Sequence, residues 1–206
     1  DRFHPSETVR REIRDLLGCD DSKMVLLFLG RVCEAKGIML LIKAFTVMAE
    51  KLEDIELWIV GPNECRDKKE LDRALIMLRE KVKTVKFTKE PEKYMQAADL
   101  FCLPSFREGF GCSVIEAAAC GIPAIVTRIC GLSDTVVEGI TGWCYNSGEL
   151  AELVNLLSDV MTKPDLIKKA GKQARAYVEV TFNQAKLTEE LKNYYLATID
   201  RHDHYC

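Results

Sequence analysis

The sequence predicts an α/β fold in which helices cover both faces of a doubly wound parallel sheet. Short continuous apolar runs, which are typical of buried strands, alternate along the chain with longer segments whose apolar residues recur at helical spacing. Such alternation favours a parallel sheet, because consecutive parallel strands are joined by crossover helices. The length of 206 residues and the hydrophobic content of 48% suit a single unit with a sizeable core.

The strands are predicted from the apolar runs. They cover residues 24–29, 55–60, 84–87, 100–103, 124–127 and 142–145. Four residues suited to binding follow such strands directly or closely, namely Arg31, Gly61, Lys89 and Glu108. Ligands bind at the carboxyl ends of the strands in open parallel sheets, so we expect one rim of the sheet to bring these four residues together.

The helices are predicted from apolar residues three or four positions apart. They cover residues 39–52, 67–81, 92–98, 114–120 and 149–161, and two more lie between about 164 and 199. The inward face of the first consists of Leu41, Ala44, Phe45, Met48 and Leu52, and that of the second of Leu71, Leu75 and Leu78. Gly121 ends the helix over 114–120.

Composition and cysteine usage exclude several classes of protein. The net charge of -3 argues against general nucleic-acid binding, and no apolar run is long enough to cross a bilayer. The nine cysteines are odd in number and scattered, with no C-x-x-C pair, so we expect a cytoplasmic protein without a disulfide framework. No zinc-ligand spacing occurs in the folded part; the tail over 202–206 could bind a metal, but a frayed C-terminus is the simpler interpretation.

Two carboxylates eight residues apart, Glu108 and Glu116, enclose a turn between a predicted strand and a predicted helix. A helix N-terminus directs backbone N–H groups and a positive dipole end at a ligand, which suits a phosphate. Ionised carboxylates only accept hydrogen bonds, which suits sugar hydroxyls. Together these features favour a sugar nucleotide. The alternative is that Ser113 and Glu116 form a capping box and that Glu108 is a solvated loop charge.

Arg31 and Lys36 suit the diphosphate of such a ligand. Negative charge grows on the leaving phosphate when a glycosyl bond to a nucleoside diphosphate breaks, and a metal or fixed cations must stabilise it. The chain contains no D-x-D pair to hold a metal, so two cations after the first strand could take its place. The alternative is that both are ordinary surface cations.

The Glu108–Glu116 segment resembles the E-x7-E signature of retaining glycosyltransferases with the GT-B fold, especially family 4. Other segments of the same family pattern are Leu27–Arg31 with Lys36–Gly37, Leu57–Gly61, Ala97–Ser105, Glu116–Pro123 and Val137–Gly142. The match covers roughly residues 24–157 in order. An ordered series of motifs is far more specific than one short motif.

The resemblance implies a Rossmann-like domain that forms one half of a GT-B fold, the C-terminal, donor-binding half. Residues 1–22 would be the interdomain linker and lead-in, residues 23–180 the nucleotide-sugar-binding domain, and residues 181–206 the C-terminal helix and tail. The acceptor-binding half would precede this chain. We therefore expect an excised domain or fragment, a half-site with little activity alone.

The resemblance also assigns roles to residues, with no metal or other cofactor. The catalytic set would be Arg31, Lys36 and Glu108; the nucleotide-binding set Gly30, Gly61, Lys89 and Glu116; and the phosphate- or sugar-binding set Gly109, Phe110, Gly111, Cys112 and Ser113. In this scheme Glu108 binds the donor sugar and Glu116 the ribose diol. Lys89 stands where the family often has glycine.

The activity implied for the full protein is transfer of a sugar, with retention, from a UDP- or GDP-type donor to a saccharide or lipid-linked acceptor. Polysaccharide or glycoconjugate biosynthesis is the expected setting, and peripheral membrane contact through the full-length protein is allowed. Two alternatives stay open: a GT-B enzyme of another reaction, such as an epimerase or phosphorylase, and a non-enzymatic doubly wound binding module.

Overall fold

The structure, a computed structural model, describes residues 2–78 and 80–203. The strands are β1 (Met24–Leu29), β2 (Ile55–Val60), β3 (Val82–Val85), β4 (Leu100–Leu103), β5 (Ala124–Thr127) and β6 (Gly142–Tyr145). They form one parallel sheet in the order β3-β2-β1-β4-β5-β6. This order grows outward in opposite directions from β1 and β4, so the predicted doubly wound fold is confirmed, with its switch point between those strands.

Helices cover both faces of the sheet. They are α1 (Glu7–Leu17), α2 (Ile38–Ala49), α3 (Lys68–Met77), α4 (Pro91–Ala97), α5 (Cys112–Ala119), α6 (Leu150–Met161), α7 (Pro164–Thr181) and α8 (Gln184–Asp203), with short 3₁₀ helices at Glu34–Lys36 and Ser133–Thr135. Helix α2 packs against α3 and α6, whereas α4 packs against α1 and α5, and α5 against α7. The central strands are buried on both sides, as continuous apolar runs predict.

Five strands have the predicted bounds, and the third was wrong by two residues. The predicted strand covered 84–87, but β3 ends at Val85 and Phe87 is exposed. Strand β3 is an edge strand that pairs only with β2, so its bounds follow the partner, with Leu57 opposite Val82 and Val60 opposite Val85. A half-buried edge strand gives a weaker apolar signal than a central one.

The sequence-based assignment missed helix α1, which lies inside the segment expected to be linker and lead-in. Arg10 and Arg14 each place a guanidinium nitrogen 2.7 Å from an oxygen of Asp99, which precedes β4. Arg14 is buried there, and Asp99 also accepts the Val25 backbone N–H at 2.7 Å. Helix α1 is thus fastened to the sheet by ion pairs and also by Ile13, which is buried in the main core. That residues 1–22 also link two domains stays a prediction.

The last two helices differ in how they relate to the domain. Helix α7 packs so closely on the end of α5 that a Cβ atom on Gly171 would overlap the carbonyl oxygen of Gly121. Helix α8 instead carries exposed apolar side chains, namely Leu187, Leu191, Tyr194, Tyr195, Leu196 and Ile199. No helix of the described residues combines the length and apolar character that crossing a bilayer requires.

Candidate functional site

The loops after β1 and β4 meet at the carboxyl edge of the sheet, at the switch point. Gly37 has a φ of 69°, and a Cβ atom there would overlap the carbonyl oxygen of Pro104. The Phe106 backbone N–H donates to the carbonyl of Ala35 at 2.9 Å. Because the loops touch, residues 31–36 and 104–109 form one surface, as the sequence predicts for such a rim.

Lys36 and Glu108 face each other across these two loops. The Lys36 ammonium forms an ion pair with the Glu108 carboxylate, and the same carboxylate lies 3.4 Å from the Ser105 hydroxyl, which donates to it. The two charged side chains are only 18% and 17% exposed. An ion pair this shielded from water is stronger than a surface pair, so Glu108 is not a solvated loop charge. It is the partner of the cation that the sequence assigns to phosphate.

Arg31 lies on the same surface but stays exposed. Its guanidinium contacts Glu64 at 3.2 Å, with both side chains about half in solvent. An open pocket of about 650 Å³ lies between the two loops. Its wall consists of Arg31, Ala35, Lys36, Phe106, Arg107, Glu108, Gly109, Ile129 and Cys130. The structure therefore brings together all three residues of the expected catalytic set.

Five members of this wall were not among the predicted site residues, namely Ala35, Phe106, Arg107, Ile129 and Cys130. Arg107 adds a third cation beside the pocket, and Ile129 and Cys130 approach from the loop after β5. Arg107 immediately precedes Glu108 in the sequence, so its position could have indicated that it lies at the same site. Residues 129 and 130 also follow a predicted strand, so the rule that placed Arg31 at the rim could have found them.

The turn over 109–111 leads directly into α5, and steric contacts require glycine at Gly111 and at Gly131 opposite the turn. Gly111 is the N-cap, with a φ of 64°, and a Cβ atom on it would lie 2.6 Å from Leu132 Cδ2. A Cβ atom on Gly131 would overlap the carbonyl oxygen of Gly109. The turn therefore rests against the loop over 129–132, and only glycine fits at the contact points.

The N-terminus of α5 shows that the capping-box interpretation was wrong. The helix begins at Cys112, so Ser113 is its second residue and not the N-cap. No side chain of the described residues hydrogen-bonds to the N-cap end of this helix. Cys112 and Ser113 lie in the first turn of α5, where backbone N–H groups have no acceptor within the helix. This arrangement suits an anion.

Glu116 lies one turn further along α5 and is half-buried. Burial raises the pKa of its carboxyl group, while Arg2 acts in the opposite direction and Glu92 adds to the rise. Arg2 donates to Glu92 at 2.7 Å and also to the carbonyl oxygen of Lys89. Glu116 therefore belongs to a second cluster of charges with Arg2 and Glu92, which the sequence analysis missed, and Lys89 contributes its backbone carbonyl to this cluster. These residues do not line the pocket that contains Lys36 and Glu108.

Gly30 and Gly61 bring the ends of β1 and β2 together. Gly61 has a φ of 145°, and a Cβ atom on it would overlap the carbonyl oxygen of Gly30. Gly61 lines a smaller pocket of about 210 Å³ between β2, β3 and α3, with Asn63 and Thr84 in its wall. The two glycines thus permit a close backbone contact beside the rim, and Gly61 is not part of the larger pocket's wall.

The metal site predicted as an alternative for the C-terminal tail, over 202–206, falls on side chains outside those that the structure describes. Residues 204–206 of that predicted alternative lie outside the described residues. Among the side chains that the structure does describe, no group of three His, Cys, Asp or Glu residues is arranged to hold a metal ion.

The chain is similar to curated glycosyltransferases over most of its length. It is 29% identical over 176 residues to the capsular polysaccharide biosynthesis glycosyltransferase CapM of Staphylococcus aureus, covering 85% of this chain and 46% of CapM. It is 32% identical over 195 residues to a D-inositol 3-phosphate glycosyltransferase of Pseudarthrobacter chlorophenolicus, covering 90% of this chain and 45% of that protein. The chain thus spans about half the length of these curated relatives.

Solved structures share the fold. The Anabaena protein Alr3699/HepE, crystallised in complex with UDP, superposes with a TM-score of 0.85 at 23% identity, over 95% of this chain and 54% of that one. The C-terminal domain of the group 1 glycosyl transferase LpcC from Francisella tularensis gives a TM-score of 0.78 at 19% identity, over 89% of this chain and 97% of that domain. The expected half of a GT-B fold is thereby confirmed.

The family itself follows from the sequence. The model of the family described as glycosyl transferases group 1 matches residues 9–177, which includes both glutamates, both cations and the whole sheet. A family match over so much of the chain is decisive, and the fold agrees with it. This chain belongs to the glycosyl transferases group 1 family.

Proposed function

We propose that the complete protein transfers a sugar from a nucleotide sugar to an acceptor, and that this chain binds the donor. The observation that carries the proposal is the Lys36–Glu108 pair at the wall of an open pocket, where the loops after β1 and β4 meet. The Lys36 ammonium suits a phosphate and the neighbouring Glu108 carboxylate suits sugar hydroxyls. These are the two groups that a glycosyl–phosphate bond joins. The UDP bound by HepE supports a nucleotide as ligand.

Lys36 and Arg31 stabilise the diphosphate, as the charge on the leaving group grows. Arg31 can exchange its exposed partner Glu64 for phosphate at small cost, because half-exposed ion pairs contribute little. Arg107, on the same wall, supplies a further positive charge. These fixed cations take the place of a metal, so transfer is expected to proceed without a divalent ion.

Glu108 binds hydroxyls of the donor sugar, and the phosphate replaces it as partner of Lys36. The N–H groups of the turn at 109–113, with Phe110 between its two glycines, serve the phosphate or sugar. Glu116 accepts hydrogen bonds from the ribose diol, and its half-buried position favours a ligand with two neutral donors. Gly30, Gly61 and the backbone at Lys89 complete the nucleotide side of the site.

The other half of the cleft lies in residues outside this chain. The chain spans about half of its curated relatives, and α8 leaves six large apolar side chains exposed. We assign the preceding, acceptor-binding half as the partner of that apolar face. The proposal further includes a saccharide or lipid-linked acceptor, transfer with retention of configuration and a cytoplasmic location. It also includes a role in polysaccharide or glycoconjugate synthesis, which the name of CapM supports.

The test is titration of this chain with UDP, GDP and ADP by calorimetry and thermal shift. One diphosphate is expected to bind weakly and to raise the melting temperature by mass action. Multiple-turnover transfer should be negligible, because half of the cleft is missing. No response to any of the three would favour a non-enzymatic module. Efficient turnover by the chain alone would overturn the half-site interpretation.

A further inference from the structure

Phe110, in the middle of the donor-binding turn, rests on an aromatic ring from a distant part of the chain. Its ring centroid lies 5.8 Å from that of Phe182, at an interplanar angle of 74°. Phe182 in turn meets Tyr177 at 5.9 Å and 81°. Both pairs are edge-to-face, the geometry that gives aromatic pairs an attraction beyond simple burial. A row of three rings thus joins the turn before α5 to the end of α7.

Phe182 is itself firmly placed. It is the residue that ends α7, and its backbone N–H donates to the carbonyl of Val178 at 2.9 Å. Its side chain packs on a small apolar cluster between α5 and α7, built around Ala118, Ala174 and Val178 and separate from the main core. The Phe182 ring is therefore held between α7 and α5, the helix that follows the turn, and Phe110 packs against it.

The turn needs such support. Phe110 stands between Gly109 and Gly111, and its side chain is 48% exposed. Glycine neighbours leave the backbone many accessible conformations, so the local sequence alone does not hold the N–H groups in one direction. The loop over 129–132 touches the turn at its glycines, whereas the only ring contact found for Phe110 among the described residues is Phe182.

We propose that Phe182 is a positioning residue for donor binding, which holds the glycine-flanked turn at 109–113 in its binding conformation through the ring of Phe110. The proposal rests on the proposed function for its effect on the ligand, but the effect on the turn does not depend on any ligand. Phe182 touches no donor atom in this scheme. It acts by limiting how far the turn can move before the phosphate or sugar arrives.

The experiment compares wild type with Phe182→Leu, which keeps an apolar side chain but removes the ring edge. Phe182→Tyr serves as the conservative rescue, and Val180→Ala, at an exposed position two residues earlier, is the matched control. Backbone ¹⁵N order parameters of residues 109–113 are measured without ligand. They are expected to fall from about 0.85, typical of rigid backbone, towards about 0.6 in Phe182→Leu only.

UDP affinity provides the second readout. Phe182→Leu is expected to weaken UDP binding about twofold to tenfold, the range that an aromatic pair supplies, while Phe182→Tyr and Val180→Ala bind like wild type. The double variant Phe110→Ala/Phe182→Leu should bind no worse than Phe110→Ala, because both changes remove one interaction. Additive losses, or unchanged order parameters in Phe182→Leu, would overturn the positioning role. Where wild type binds GDP or ADP instead of UDP, that diphosphate serves as the ligand. If wild type binds none of the three, the proposed function fails, and the order parameters still decide whether Phe182 orders the turn.

Discussion

Removing the Arg31 guanidinium should separate a phosphate role from an ordinary surface charge. In Arg31→Ala the lost contact with Glu64 is a half-exposed ion pair, so the free energy of unfolding should fall by no more than about 1 kcal/mol. A charge-assisted hydrogen bond to the diphosphate is worth about 1.5–3 kcal/mol. That free energy corresponds to a loss of UDP or GDP affinity of roughly tenfold to 150-fold.

Lys36→Ala should lose more affinity than Arg31→Ala, because its ion pair with Glu108 is largely shielded from water. The substitution removes one cation and also leaves the Glu108 carboxylate facing the diphosphate without a partner. Replacing that carboxylate in the double variant Lys36→Ala/Glu108→Gln should therefore restore part of the lost affinity. Calorimetric titration with the diphosphate measures all three variants.

The control is Arg11→Ala, which removes an exposed arginine from α1, away from the rim. It should bind the diphosphate like wild type, and urea unfolding of every variant shows whether the fold is intact. Equal diphosphate affinity in wild type, Arg31→Ala and Lys36→Ala would refute the phosphate role. A Lys36→Ala defect that Glu108→Gln makes worse would refute the argument about the unpaired carboxylate.

Glu108→Gln alone should spare diphosphate binding but weaken binding of the intact sugar nucleotide; equal losses for both ligands would contradict its sugar role. Glu116→Gln should weaken ribonucleotide binding, whereas a 2′-deoxy diphosphate should bind wild type poorly already. Iodoacetamide should label exposed Cys130 under native conditions but not Cys102, because complete burial raises the pKa of the Cys102 thiol. Bound donor should slow the labelling of Cys130, which lines the pocket, and peptide mass spectrometry would measure both effects. Gly61→Ala should destabilise the fold by more than about 1 kcal/mol in urea unfolding, because its Cβ atom would overlap the carbonyl oxygen of Gly30. A variant as stable as wild type would show that the ends of β1 and β2 can move apart.

The sheet could be predicted because the central strands are mostly apolar, as burial on both faces requires, even though β2 contains the buried charge of Glu56. Helix α1 was missed although Ser6 caps its start and Gly18 ends it. The sequence could not show that Arg10 and Arg14 hold this helix through Asp99, a residue far away in the sequence. Local propensity does not report such tertiary ion pairs. The bounds of edge strand β3 differ from the predicted ones for a related reason, because pairing with β2 sets its register.

Much of the candidate site followed from one rule, that loops after parallel strands meet at one rim. This rule predicts that Arg31, Gly61, Lys89 and Glu108 share one rim. Arg31 and Glu108 do line one wall, whereas Gly61 lines a different pocket and Lys89 lies outside the wall. What it could not supply was pairing: that Lys36 holds Glu108, or that Phe110 rests on Phe182. Such contacts depend on side-chain directions that only the packed structure fixes.

Glu116 shows how the proposed binding role conflicts with stability. Its pKa is raised mainly by burial, so the ionised form is the less favourable one in the folded state. A group whose folded pKa lies above its unfolded value favours folding below the unfolded pKa, and that contribution is lost as the pH rises through the folded pKa. At neutral pH the carboxylate therefore costs stability, and Glu116→Gln should unfold at higher urea concentration than wild type, with the difference shrinking on acidification. A residue that caps a helix would show the opposite sign. The proposed hydrogen bonds from the ribose diol would account for a half-buried carboxylate with that cost, on a helix that it does not cap.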